Sequence, residues 1–188
     1  MILLILGVLL WSIAHLVPAL ARPMRQALID KLGSNAYRGL FSVVIVLSIV
    51  LMVIGWRSTP ETYVYQLPAW SRPIGFLLMI VSFVLFGAAN YATAIKRVLR
   101  HPMLTGLIFW SISHLITNGT TRALVLFGGL GLWAIIEIPL INAREGAYTA
   151  PDSPGLKGEL KGLAISAVVF IVVIFLHPYF AGVSPIPG

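Results

Sequence analysis

Apolar runs of about twenty residues, separated by short polar gaps, repeat along the whole chain. Six can be drawn, at Met1–Ala21, Leu40–Trp56, Pro73–Thr93, Pro102–Asn118, Leu124–Ile141 and Leu160–Phe180. An α-helix rises 1.5 Å per residue, so ~20 residues cross ~30 Å of hydrocarbon, and each run comes near that length. The pattern predicts an all-α integral membrane protein, one domain over residues 1–188, built as a bundle of six transmembrane helices. Met1–Ala21 has no basic stretch ahead of its apolar run and no small-residue cleavage site, and is read as a retained helix, not a signal peptide.

The fourth run is the shortest and carries the most polar side chains. Pro102 suits the first helical turn, where no backbone N–H is needed, and Gly119 is expected to end the helix in a left-handed turn. At 3.6 residues per turn Leu107, Trp110, Ser111, His114, Thr117 and Asn118 share a face, while Ile108, Phe109, Ile112 and Ile116 point elsewhere. Histidine and asparagine are costly against lipid, so this face is predicted to look into the protein. Trp110-Ser111-Ile112-Ser113-His114-Leu115 also echoes Trp11-Ser12-Ile13-Ala14-His15-Leu16, with five of six positions identical. Because the two runs point in opposite directions, the echo suggests a three-plus-three inverted repeat.

Composition agrees with the pattern. The 188 residues are 59% hydrophobic and 10% charged, with a mean hydropathy of +0.95, more apolar surface than a soluble domain of this size can hide. The absence of cysteine excludes disulfides, thiolate metal sites and cysteine nucleophiles. The net charge of +7 does not indicate nucleic acid, because the basic residues sit between apolar runs, where topology and anionic lipid account for them. Ten Lys and Arg fall in the odd-numbered gaps and only Arg57, Arg72 and Arg122 in the even ones, which places both termini outside the cytoplasm. Tyr63, Tyr65 and Trp70 are expected in an outer interfacial belt, and Gly128, Gly129 and Gly131 at a close helix contact. Asn142–Gly158, with Pro151, Asp152, Ser153, Pro154 and Gly155, is the long turn-rich cytoplasmic connection, able to fold over a pocket.

His15 and His114 both lie about three residues past the middle of antiparallel runs, ~9 Å apart in height by rise per residue. Side chains lean toward their own helix N-terminus, which brings both imidazoles back toward the midplane. That arrangement is the one a b-type haem requires; the alternative is a pair of interior histidines hydrogen-bonded to Ser12, Ser111 or Asn118. His101 is a separate site at the cytoplasmic mouth with Lys96, Arg97 and Arg100, approached by Asn90 and Glu137. A basic cluster at a helix start can seat carboxylate or phosphate, or serve only as a topological anchor. His177 is expected to be an interfacial histidine without chemistry. No carboxylate pair, nucleophile–base arrangement or phosphate loop is visible.

The order Trp11-Ser-Ile-Ala-His15-Leu, Tyr37-Arg-Gly-Leu-Phe-Ser42, Arg100-His-Pro102, His114-Leu-Ile-Thr-Asn-Gly119 and His177-Pro-Tyr179 through Gly182-Val183 resembles the NnrU family across nearly the whole chain. The resemblance implies a bacterial inner-membrane protein associated with denitrification and nitric oxide metabolism, with possible partners among respiratory or denitrification proteins or a hydrophobic small molecule. The family is related to the plastid zeta-carotene isomerase, a haem b membrane enzyme. By that relation His15 and His114 match the iron ligands, with Arg97, Arg100, His101, Ser111 and Asn118 as further haem-binding candidates and a redox or isomerase-like role. The isomerase has a cysteine where this chain has Ser111, so its reaction is not carried over. Arg100-His101-Pro102-Met103-Leu104-Thr105-Gly106 is also similar to a signature of isoprenylcysteine-type membrane methyltransferases, which implies S-adenosylmethionine as the alternative ligand. Leu104 stands in place of the signature tyrosine, and the acidic pair expected downstream is reduced to Glu137 and Glu145. A non-catalytic membrane partner of respiratory enzymes is the third reading.

Overall fold

A computed structural model describes residues 1–152 and 154–185; Ser153, part of the turn-rich connection, lies outside the described residues. In chain order the helices are α1 (Ile2–Leu20), α2 (Arg22–Leu32), α3 (Ser34–Ser58), α4 (Ser71–Asn90), α5 (Ala94–Val98), α6 (Pro102–Thr117), α7 (Thr121–Glu145) and α8 (Gly155–Ala181). Five of them, α1, α3, α4, α7 and α8, are long and apolar enough to cross a membrane. The sixteen residues of α6 reach only ~24 Å, less than the hydrocarbon core. Among the described residues there is no strand, only a single bridge between Tyr63 and Thr120.

Two antiparallel pairs form the body, α1 with α3 and α4 with α6, and α7 packs against both α1 and α6. Lipid gives helices no hydrophobic reason to associate, so close packing and interhelical hydrogen bonds must hold them. The α4–α6 pair shows both. Ser82 Oγ donates to the Gly106 carbonyl at 2.8 Å, and Ser113 Oγ donates to the Gly75 carbonyl at 2.7 Å. Each serine thus clasps the facing helix at a glycine, whose missing side chain lets the backbones approach. On the other side, Leu4, Val8, Met52, Trp56, Ala123, Phe127 and Leu130 close a core shared by α1, α3 and α7.

The two ends of the bundle differ in charge. At one end the Met1 amino group donates to Thr59 Oγ1 at 2.6 Å, and Trp56 Nε1 donates to the Ala181 carbonyl at 3.2 Å. Arg122 gathers this end: it donates to the Trp56 and Thr59 carbonyls, pairs with Glu61, and lies 4.3 Å from the centre of the Trp56 ring. Helix direction puts Arg57 and Arg72 here too, and the other ten basic residues at the opposite end. The structure therefore groups the basic residues as the gap pattern predicts, with both termini at the poorer end.

Several expectations change in detail. The first polar gap contains α2, an exposed basic helix with no buried residue, where Pro23 serves the first turn and the Arg25 guanidinium lies 5.6 Å over the Tyr37 ring. Helix α6 begins at Pro102 as predicted, but Gly119 is not left-handed. Asn118 leaves the helix in extended conformation, and a Cβ on Gly119 would run into the Tyr65 carbonyl. Glycine is required there by the strap of residues 59–70, not by a helix stop. Tyr65, expected in the outer belt, is part of that strap: its hydroxyl donates to the Leu115 carbonyl and to that of Asn118, satisfying carbonyls that the helix end leaves open. Tyr63 and Trp70 are exposed, as a belt requires.

Candidate functional site

The echoed motif adopts the same local geometry in both copies. In α1 His15 Nδ1 donates to the Trp11 carbonyl at 2.9 Å, with ring centroids 4.4 Å apart. In α6 His114 Nδ1 donates to the Trp110 carbonyl at 2.9 Å, with ring centroids 4.7 Å apart. A carbonyl can only accept, so the proton is on Nδ1 and the Nε2 lone pair of each imidazole is left for another partner. Fixing one ring nitrogen on a backbone carbonyl is how proteins commonly orient a ligating histidine.

The surroundings of the two differ. His15 sits among Trp11, Phe41 and Trp133, with centroids at 4.4, 5.4 and 4.9 Å. His114 sits among Trp110, Phe127 and His177, and the two imidazoles share no ring neighbour. Phe127 stacks on His114 at 4.2 Å and 20°. It is placed there by a π-helical turn, Leu124–Gly128, at the start of α7. Such single π turns inside α-helices are frequent at functional sites.

His114 faces a cavity of about 750 Å³ between α4, α6 and α8, at the end of the bundle where the termini lie. Phe76, Phe83 and Phe170 wall it, Arg72 stands at its rim, and Asn118 and His177 contribute polar atoms. His177 was predicted to lack chemistry, yet its ring lies 6.5 Å from that of His114 and within 21° of parallel. Its Nδ1 donates to the Val183 carbonyl at 2.7 Å, which leaves a second free Nε2 on the same cavity. Sixty-three residues separate the two histidines, so only the fold could join them. Asn118 Nδ2 donates to the His114 carbonyl at 3.1 Å and to Thr117 Oγ1 at 3.3 Å, holding the end of α6 against the cavity. Ser111 does not reach the cavity. It is buried at 2% exposure with its hydroxyl unpartnered, packed where Gly131 leaves room on α7.

The basic cluster at the other end is occupied with the chain itself. Arg100 donates to the Gly146 carbonyl at 2.6 Å, pairs with Glu145 at 3.4 Å, and lies 5.4 Å over the Tyr148 ring. The His101 Nε2–H donates to Asn142 Oδ1 at 2.8 Å, and the Tyr148 hydroxyl donates to the Lys96 carbonyl at 2.8 Å. The connection after α7 is therefore strapped to residues 96–101. Arg97 is exposed on α5. Neither Asn90 nor Glu137 joins the group: Asn90 donates to Phe86 on its own helix, and Glu137 is buried beside Trp133. Among the described residues no three histidine or acidic side chains come together as a metal cluster.

No curated protein and no solved structure matches the chain. The family model described as NnrU protein matches residues 3–185. That match covers α1 through α8 and both copies of the Trp-Ser-Ile-x-His-Leu motif, and the chain belongs to the NnrU family.

Proposed function

We propose that this NnrU-family membrane protein would hold a b-type haem in the cavity between α4, α6 and α8, with His114 as the residue that would bind its iron. The observation that carries the proposal is the His114 ring, its Nδ1 tied to Trp110 and its Nε2 free on a cavity of about 750 Å³. That volume lies within the ~300–1,000 Å³ range of sites for small molecules and cofactors. The residues present fit the group. The phenylalanines at 76, 83 and 170 offer apolar walls, Arg72 at the rim can pair with a propionate, and His177 offers a second neutral imidazole. A haem bound there would supply redox chemistry or a site for a diatomic ligand, in line with the family's association with nitric oxide metabolism. The chain's own contribution is to fix the His114 ring by the Trp110 carbonyl and Phe127, and to exclude water with the aromatic walls.

Two further histidines could help to hold the haem. His177 is favoured by its place on the same cavity, and His15 by its match to the isomerase ligands and its identical bond to Trp11. Spectra of His114→Ala, His177→Ala and His15→Ala in detergent separate them. His114→Ala should lose the haem, and His177→Ala should convert a low-spin spectrum to high spin while His15→Ala leaves it unchanged. A spin change in His15→Ala alone would move the second ligand to α1, and full haem retention in His114→Ala would end the proposal.

The same reading takes α6 as a sixth crossing in a locally thinned bilayer, with the protein in the bacterial inner membrane and the cavity facing the periplasm.

A further inference from the structure

At the opposite end of α1 and α7 lies a set of polar groups that the proposed haem site does not use. Glu137 is 5% exposed, on the third turn of the α-helical part of α7 and inside an apolar span. Its Oε2 and the indole nitrogens of Trp11 and Trp133 have no protein partner. The indoles meet edge to face at 5.7 Å, and the His15 ring lies against both. Glu137 is near enough to Trp133 for its carboxylate to feel the indole N–H, yet the two form no hydrogen bond. Two complementary groups held close but not bonded, with water-free burial costly to each, are commonly bridged by water.

A second cavity lies toward the basic end. It measures about 320 Å³ and is lined by Pro18, Arg25, Tyr37, Phe41 and Arg144, and Phe41 is the residue on which the His15 ring rests. Arg144 also acts electrostatically on Glu137 from two turns farther along α7. Arg144 is thus the charged group that acts on Glu137; Arg25 on α2 and Tyr37 on α3 line the cavity, and His15 on α1 lies against Trp133. On the α6 side Leu104 shares a buried cluster with Trp133 and Ala134, and Leu107 and Ile108 pack against that cluster.

We propose that Glu137, Trp133 and Trp11 enclose a hydrated proton-exchange site inside the membrane segment, filled through the cavity at Arg25, Tyr37 and Arg144. A hydronium entering there gives its proton to the Glu137 carboxylate and leaves as water; His15 keeps its proton on Nδ1 and is a neighbour, not the acceptor. The indole N–H groups hold the bridging water by donating to it.

Proton NMR of protein labelled with ¹⁵N-tryptophan, in lipid nanodiscs, tests this on the wild-type chain. Water cross-peaks are expected at the Trp11 and Trp133 indole protons and not at Trp56, whose N–H is bonded to Ala181. Infrared spectra on transfer to D₂O should show an exchangeable protonated-carboxyl band that Glu137→Gln lacks. Loss of the water cross-peak at Trp133 in Glu137→Gln, with the Trp56 peak unmoved, would complete the support. Absence of water contact at both indoles in wild type, or no Glu137-dependent band, would overturn the proposal whether or not the variant folds.

Discussion

Single side chains set the ends of the helices here, and Tyr65 is the clearest case. Its hydroxyl holds the last turn of α6, and burial pushes its phenol above the ordinary value of 10. The neutral form is the one the fold prefers, so the stabilisation is complete below pH ~10 and is lost as pH rises through the higher folded-state value. An alkaline titration followed by near-UV absorbance and thermal unfolding should show a step above pH 10 that Tyr65→Phe removes. Unchanged alkaline behaviour in Tyr65→Phe would mean the strap does not depend on this bond. At this scale the sequence showed that His114 and Asn118 turn inward, because both are expensive in lipid. It did not show what they meet. His177 reads as a terminal interfacial residue until α8 brings it to α6, and Tyr65 reads as belt until the strap folds back.

At the scale of elements, the contact between α6 and α7 depends on what glycine leaves out. A Cβ on Gly131 would stand 2.9 Å from Ser111 Cβ, a backbone-anchored atom that cannot swing away, whereas Gly128 has nothing within 4 Å. Overpacking of this kind typically costs ~1–3 kcal/mol, so Gly131→Val should lower the thermal midpoint in detergent by several degrees and Gly128→Ala should not. Equal effects at the two positions would contradict the packing described. The apolar runs, Pro102 and the close contacts at Gly129 and Gly131 of α7 were legible because length and residue type alone decide them, whereas Gly128, expected with them, faces open space. Helix α2 was not, since its basic residues carry no apolar run to mark a helix. Nor was the π turn at Leu124–Gly128, whose shift of hydrogen-bond register leaves no residue signature, although it puts Phe127 on His114.

For the whole molecule, charge and cavity point the same way across the membrane. The three-to-ten division of basic residues between the ends predicts that reporter fusions at Lys31, Arg97 and Lys157 report cytoplasm and that both termini report periplasm. A cytoplasmic carboxyl terminus would put the His114 cavity on the cytoplasmic side and contradict this orientation. Neither end is an independent site in the chain: Arg122 ties α3 to α7 where the termini meet, and Arg100 ties α6 to the connection after α7 at the other. Between them the two copies of one six-residue motif build two different histidine environments, one on a large cavity and one among the rings of Trp11, Phe41 and Trp133. The measurement that bears most directly on the central claim is the haem content of the purified wild-type protein from haem-replete cells, by pyridine haemochrome against protein mass. One haem b per chain is expected, and protein that is folded but carries none would contradict the proposed site.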